Sequence, residues 1–470
     1  MSVGIESAMN VAPRITVYLT NHNYGRFIGQ AIDSVLTQTL PDFELIVIDD
    51  GSTDDSRSII ESYSLHPKVV AIFQENKGLN VTNNIALRAA RGEYIMRLDA
   101  DDWLDPHALQ VMAGILDRDP GVGLVFPDYY TVDVEGRMIE LVRRHNFTDV
   151  ELHDQPAHGA CTMARRSCLL EIGGYDESFR CQDGWDIWIR VIQHYKVANV
   201  NLPLFYYRQH DRNLTRNEVD LLEARAGILR WQAQRKGRAL TATAVVPVRG
   251  SHYEHGSIAL QPLGDRAVLD WTLDAALECE RIKTLAITTP DQDVLDHVAS
   301  RYGNRIVGVA RSAELARMNT HIEDTVFHAL AAVESGGERS DAVAVLYAEC
   351  PFRTPRQIDM AIDMLDVFET DTVVGVRPET DLFYTHNGKG LQPIRSTNEL
   401  RLEREEIYRS AGKLYVVRRE YFERMHKLTG GRIGHVVVDP HSAIQLSSDW
   451  DFEIARYWAS RLSITRKAKG

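Results

Sequence analysis

Short β-rich apolar runs and stretches of helical periodicity take turns along this chain, and that alternation restricts the fold more than any other property of the sequence. RITVYL (Arg14 to Leu19) reads as a strand and FIGQAIDSVL (Phe27 to Leu36) as a helix. FELIVI (Phe43 to Ile48) is the next strand, followed by a helix through Ser56 to Tyr63 and then VVAIF (Val69 to Phe73). Such alternation calls for a mostly parallel sheet with helices on both faces. Ligands of these sheets sit outside the carboxyl ends of the strands. Two acidic clusters stand at such ends: Asp49-Asp50 after FELIVI, and Asp99, Asp101 and Asp102 after the run Tyr94-Ile95-Met96. Both are predicted to face one crevice.

After Val219 a charged helical stretch runs from Leu221 to Arg235 and ends in the basic break Lys236-Gly237-Arg238. Then the pattern restarts. TAVVPV (Thr243 to Val248), TLAITT (Thr284 to Thr289) and AVAVL (Ala342 to Leu346) read as strands, and VLDWTLDAAL (Val268 to Leu277) as a helix. A chain of 470 residues is too long for one ordinary core. The expected organisation is an N-terminal tail over 1–13, a first α/β domain over 14–220, a helical linker over 221–241, a second α/β domain over 242–460 and a C-terminal tail over 461–470. The fold class is therefore α/β, with two tandem Rossmann-like domains.

Magnesium and manganese prefer hard oxygen donors, and magnesium sites usually combine one or two carboxylates with substrate phosphates. In an Asp-x-Asp at a strand end, residues i and i+2 project to one side, so Asp99 and Asp101 can flank one point. A solvated acidic turn or a helix N-cap explains the same motif, and Asp105, just before Pro106, is the better cap candidate.

TVYLTNHN (Thr16 to Asn23), AIDSVLTQT (Ala31 to Thr39), ELIVIDDGSTD (Glu44 to Asp54), GEYIMRLDADD (Gly92 to Asp102) and GGYDESF (Gly173 to Phe179) resemble, in order, the motifs of family 2 glycosyltransferases. The resemblance covers residues 14–215 and implies a GT-A fold and a nucleotide-sugar donor, with a UDP-sugar favoured. It places the nucleotide site at Thr20, His22, Asp49, Asp50 and Asp99, with Asp50 on the base ring and Asp99 near the ribose. It places the cofactor, Mn2+ or Mg2+, on Asp101. The family usually has Pro where Thr20 stands and Tyr at His22. CQDGWDIWIR (Cys181 to Arg190) looks like the family's segment carrying the general base, which falls on Asp183; the usual preceding Glu is Gln182 here. Inverting transfer needs such a carboxylate to take the acceptor hydroxyl's proton. The alternative is that Asp183 caps a helix. Trp188 reads as core. FYYRQH (Phe205 to His210) resembles the family's donor-closing segment, with Arg208 toward phosphate and His210 toward metal or phosphate. A surface Arg and a packed His are the competing reading. His158-Gly159-Ala160 are candidates for the acceptor side.

AVVPVRG (Ala244 to Gly250), QPLGDRAVL (Gln261 to Leu269), CPFRT (Cys350 to Thr354), YRSAGKLY (Tyr408 to Tyr415), GGRIG (Gly430 to Gly434) and DWDFEIA (Asp449 to Ala455) resemble cytidylyltransferases that activate sialic acid or Kdo. That resemblance implies a nucleotidyltransferase-like fold. A CTP loop needs cations as well as backbone N–H groups. In RGSHYEHGSIAL (Arg249 to Leu260) only Arg249 remains, and Gln445-Leu446-Ser447 stands where the family holds its metal carboxylates. The expected second domain is inactive, with Arg249, Arg353 and Arg409 as its remnant ligand contacts. The alternative is a bifunctional enzyme that also makes a CMP-activated acidic sugar.

A net charge of −13 argues against a general nucleic-acid binder, whose affinity rests on clustered Lys and Arg. The longest apolar runs fall short of the ~20 residues a bilayer span needs, and no basic n-region with an apolar core stands at the start of the sequence. Five cysteines without a Cys-x-x-Cys pair fit reduced thiols. The expected protein is cytoplasmic, acts on a nucleotide sugar and a carbohydrate or glycoconjugate acceptor, and forms any homo-oligomer through its second domain.

Overall fold

The computed structural model describes residues 12–143, 150, 152–154, 159–179, 182–210, 218–250, 258–312, 314–315, 321–334, 339–379, 381–386, 388, 390–394 and 407–467. The chain divides into two compact units, residues 1–217 with 383–404, and residues 218–382 with 405–470.

In the first unit, β1 (Ile15–Asn21), α1 (Gly25–Leu36), β2 (Phe43–Asp50), α2 (Ser56–Tyr63), β3 (Val69–Gln74), α3 (Leu79–Ala89) and β4 (Tyr94–Asp99) follow one another as the sequence predicts. Then come β5 (Trp103–Leu104), α4 (Ala108–Arg118), β6 (Val122–Val132), β7 (Met138–Val142), β8 (Met163–Arg165), α5 (Arg166–Glu171), α6 (Asp183–Ile192) and β9 (Lys196–Arg208). The sheet runs β3-β2-β1-β4-β8-β6-β9-β5, with β7 on the side of β6. Its first four strands are parallel, and β8 is antiparallel to both neighbours.

Helices on both faces bury β2 along its whole length, which is why it reads as an unbroken apolar run before its acidic end. In α1 the buried positions Gly25, Ile28, Ala31, Ile32 and Val35 repeat at helical spacing and turn one stripe to the core. The register sets Asn21 beside Asp49 and Thr20 beside Asp99, so three strand ends present their side chains together. Asp105 differs from the expected helix cap. Its Oδ1 accepts from the His107 backbone N–H at 2.9 Å in a turn before α4, and His107 itself is the cap residue.

The second unit opens with α7 (Glu218–Arg235), so the helix expected as a linker belongs to this unit. Gly237 adopts a left-handed φ of 104° in the break that follows, and Lys236 Nζ donates to the Asp366 carbonyl at 2.9 Å. Next are β10 (Ala242–Pro247), β11 (Pro262–Leu263), β12 (Arg266–Ala267), α8 (Val268–Leu277), β13 (Ile282–Thr289), α9 (Gln292–Tyr302), β14 (Val307–Ala310), α10 (Ile322–Glu334), β15 (Ala342–Leu346), α11 (Pro355–Val367) and β16 (Thr372–Glu379). The chain then passes through the hairpin β17 (Tyr384–His386) and β18 (Leu391–Pro393), which belongs to the first unit, before the second unit resumes with β19 (Ile407–Arg418), α12 (Arg419–Met425), β20 (Ile433–Val437) and α13 (Asp449–Lys467). The sheet order is β14-β13-β10-β15-β19-β16-β20, parallel except for β19. Both units thus order their first four sheet strands as third, second, first, fourth and place an antiparallel strand next.

Cys161, Cys168, Cys279 and Cys350 are buried free thiols; Cys181 lies outside the described residues. Among the described residues no helix is long and apolar enough to cross a membrane.

Candidate active site

The carboxyl ends of β1, β2 and β4 carry the first group of expected site residues. Asp49 accepts from Asn21 Nδ2 at 2.7 Å, from Ser52 Oγ at 2.5 Å and from the Ser52 N–H at 3.2 Å. Asp50 accepts from Gln74 Nε2 at 2.7 Å, the Lys77 N–H at 2.8 Å and the Gly78 N–H at 2.9 Å. Both carboxylates therefore tie together a rim formed by the ends of β1 and β3 and the segments that follow β2 and β3. His22 Nδ1 lies 2.9 Å from the Asp50 carbonyl oxygen, with Asn76 Nδ2 3.2 Å away. Gly51 makes the approach possible. Its φ is +74°, and a Cβ there would fall 2.6 Å from the Asn76 nitrogen. Thr20 is half-buried at the end of β1. Asn21, Ser52, Gln74 and Asn76 complete this rim without forming a recognisable motif.

Beyond β4, Asp101 Oδ2 meets His210 Nε2 at 2.8 Å, so the second residue after β4 and the second residue after β9 converge. Each of the two side chains is 9% exposed. The His210 ring stacks on Phe27, centroids 5.7 Å apart and 12° from parallel. Among the described residues no cluster of three or more His, Cys, Asp or Glu surrounds this point. A carboxylate and an imidazole side by side still fit a manganese or magnesium ion that takes its remaining donors from phosphates and water.

Asp102 is a supporting residue. Its Oδ1 accepts from the Arg208 N–H at 2.8 Å, and its buried Oδ2 has no hydrogen-bond partner among the described residues. Burial, and then repulsion from Asp101 and Asp99, pushes this carboxyl well above the usual carboxylate range. Burial and the same three aspartates also raise the Tyr24 hydroxyl.

Arg208 departs from its expected role as a phosphate contact. It is 3% exposed, and its guanidinium donates to the Asp101 carbonyl at 2.9 Å, the Val134 carbonyl at 2.8 Å and Gln30 Oε1 at 2.7 Å. It also lies over the rings of Phe27 and Trp103. These contacts make it a brace beneath the Asp101–His210 pair.

Asp183 opens α6 behind Gln182, which holds a left-handed φ of 60°. A helix N-terminus favours a carboxylate. Arg97 Nη1 donates to Asp183 Oδ2 at 2.5 Å, and Asn83 Nδ2 reaches the same oxygen at 3.3 Å. Among the described residues Oδ1 has no hydrogen-bond partner. Arg97 also grips Asp99, Nε to Oδ1 at 2.7 Å and Nη2 to Oδ2 at 3.0 Å. Burial opposes the guanidinium's charge, but Asp183 and Asp99 outweigh it and raise the Arg97 pKa. Burial raises the Asp99 carboxyl, and Arg97 holds it down in part. Asp183, Arg97, Tyr18, Tyr175, Gly159 and Trp188 belong to the wall of a cleft enclosing about 470 Å³, its mouth included. Gly159, a candidate for the acceptor side, lines this cleft; His158 lies outside the described residues. Trp188 is 1% exposed. It belongs to the core.

Arg97 carries no expected role in the sequence, although its i, i+2 spacing from Asp99 on a strand puts both side chains on one face. In the second unit Arg353 is 2% exposed and donates to the Gly412 carbonyl at 2.8 Å and the Tyr347 carbonyl at 2.7 Å. Arg409 pairs with Glu379 at 2.6 Å, and Arg249 is exposed just beyond β10.

An α/β unit with carboxylates at two strand ends, a carboxylate–imidazole pair beside them and a further aspartate at a cleft has the equipment of a glycosyl-transferring enzyme. Residues 16–173 match the family model described as Glycosyl transferase family 2, so the first unit carries a family 2 glycosyltransferase domain. The chain is 30% identical to the chondroitin synthase of Escherichia coli over 225 residues, which is 46% of this chain and 32% of that protein. It is 30% identical to the chondroitin synthase of Pasteurella multocida (strain Pm70) over 332 residues, 69% of this chain and 32% of that one. It thus spans about a third of the length of these curated relatives. Among solved structures, S. aureus TarS 1-349 in complex with UDP-GlcNAc is 18% identical, with a TM-score of 0.39 over 47% of this chain and 66% of that one.

Proposed function

We propose that the first unit moves a sugar from a nucleotide-diphospho sugar, with UDP favoured, to an acceptor hydroxyl with inversion at the anomeric carbon. The observation that carries this reading is the Arg97 guanidinium, which joins the donor-side carboxylate Asp99 to Asp183. Asp183 is the general base. Its Oδ2 is pinned while Oδ1 is left to accept the acceptor's proton as the hydroxyl attacks. Asp50 and Asp49 hold the nucleoside rim, with Thr20 and His22 beside them, and Asp99 takes the ribose. Asp101 and His210 are the residues that would hold Mn2+ or Mg2+. An ion bound there supplies the positive charge that a departing diphosphate requires. Arg208 keeps this pair in place from below. The chondroitin synthase relatives support a carbohydrate or glycoconjugate acceptor.

For the second unit we infer a nucleotidyltransferase-like fold without transfer chemistry. Its sheet order supports the fold. The protein partners of Arg353 and Arg409, together with the cation-poor sequence after Arg249, support the loss of activity. Pyrophosphate released from CTP, a sialic or Kdo-type acid and magnesium would overturn that inference.

The test of the first unit is hydrolysis of a panel of UDP- and GDP-sugars with Mn2+, water serving as acceptor. Asp183→Asn should lower turnover by about 10²–10⁴-fold, the usual range for a lost general base. Asp101→Ala should remove the stimulation by Mn2+. Wild-type turnover in either variant removes the role assigned to that residue.

A further inference from the structure

We infer that Arg97 is a positioning residue that acts through Asp183, coupling occupation of the nucleotide site to the orientation of the base; this rests on the glycosyl-transfer reading above. Guanidinium donors are fixed in one plane, and Arg97 divides them in a defined way. Nε and Nη2 form the parallel pair to Asp99, and Nη1 alone turns to Asp183. The two carboxylates come from distant parts of the chain, one at the end of β4 and the other at the start of α6. Their side chains have no shared strand or helix to fix one against the other. The guanidinium supplies that reference.

Its own freedom is small. The Arg97 side chain is 8% exposed, and Gly159 packs beside it, where an added Cβ would stand in ordinary van der Waals contact, 3.5 Å from Nη1. Tyr18 and Tyr175, hydroxyl to hydroxyl at 3.0 Å, belong to the same cleft wall. Asn83 approaches Asp183 from α3 and reaches the oxygen that Arg97 already holds. Both donors to Asp183 thus fall on Oδ2, which orients Oδ1 for the acceptor. A nucleoside drawn to Asp99 meets a carboxylate whose other contacts run through Arg97 to the base. Movement at one end is passed to the other through three hydrogen bonds.

A lysine at this position keeps the charge and loses the fork; a glutamine loses both. Arg97→Gln and Arg97→Lys are therefore compared in the wild-type and Asp183→Asn backgrounds. UDP release from the UDP-sugar that the wild type hydrolyses best gives kcat, and calorimetric titration with UDP and Mn2+ gives Kd. Arg97→Gln should lower kcat by about 10²-fold, and Arg97→Lys should recover about tenfold of that loss. In Asp183→Asn the kcat effect of either change should shrink to less than about twofold, because residues acting as a unit are not additive. The weakening of UDP binding through Asp99 should persist in both backgrounds. A merely structural role would reduce kcat by the same factor with and without the aspartate, and that result overturns the inference. Wild-type turnover by Asp183→Asn alone refutes instead the general base on which the inference rests. If Arg97→Gln does not fold, as judged by thermal melting and UDP binding, Arg97→Lys carries the same cycle with the same criteria.

Discussion

A buried cation next to a catalytic cluster is easily taken for a ligand contact, and Arg208 shows how its partners decide otherwise. Oxygens of Asp101, Val134 and Gln30 accept from its guanidinium, and Phe27 and Trp103 cover its faces. Arg208→Lys keeps the charge but cannot span these acceptors. Hydrogen bonds to a charged group contribute about 1.5–3 kcal/mol each, so the loss should be at least about 2 kcal/mol in urea unfolding. KM for the nucleotide sugar should change by less than about threefold. A tenfold rise in KM at unchanged stability would restore the phosphate role. The sequence showed where the aspartates stand because each follows an apolar run and belongs to a motif. It could not show that Arg208 is sealed in, since Gln30, Trp103 and Val134 reach it from distant parts of the chain. Arg97 was more accessible to reasoning. Period-two spacing already joins it to Asp99, but its second partner, Asp183, lies 86 residues away.

Elements in this fold are placed by their periodicity and sharpened by single turns. The strands from β1 to β4 lie where alternation of apolar runs and helical stretches predicts them, because two helical layers demand unbroken apolar strands. The turns are less legible. That Asp50 accepts two backbone N–H groups from the segment before α3 depends on Gly51, where a left-handed backbone meets the Asn76 nitrogen. Gly51→Ala combines φ strain with a 2.6 Å encounter. It should destabilise the first unit by about 1–3 kcal/mol and weaken UDP binding by displacing His22 and Asn76. Melting temperature and calorimetry on the same sample check both effects. Unchanged values for both would mean that the rim does not need this approach. The start of α4 teaches the same lesson, since an Asp before a Pro suggested a cap and instead closes the turn ahead of it.

Across the molecule, each unit has its own buried cluster, one built around Ile15, Leu45 and Met96 and others around Val245, Val345, Phe422 and Trp271. Acid should act on the second through Asp439. Burial raises this carboxyl, but bonds from Ser442, His441 and Gln357 outweigh it and hold the pKa below the ordinary value. A depressed carboxylate gives stability that is present above its unfolded pKa of about 4 and lost as pH falls through the lower folded value. Asp439→Asn should therefore cost about 1–2 kcal/mol at pH 7, and the difference from wild type should narrow below pH 3. Urea midpoints at both pH values check the sign, and a gap that widens in acid contradicts it. The repetition of one strand order in two units was legible only as one restart of the same sequence pattern. The antiparallel strands β8 and β19 carry no mark that distinguishes them from their parallel neighbours.

The buried thiols give each half of the chain a built-in reporter. Cys161 and Cys168 belong to the first unit, Cys279 and Cys350 to the second, and all four are buried. Burial raises the thiol pKa at each position, at Cys350 to about 11, so little thiolate is available to an alkylating reagent while the surrounding packing holds. Timed labelling with iodoacetamide, resolved by peptide mass, then dates the opening of either half separately, without a dye or an introduced probe. UDP and Mn2+ should slow the modification of the first pair while leaving the rate at the second pair unchanged.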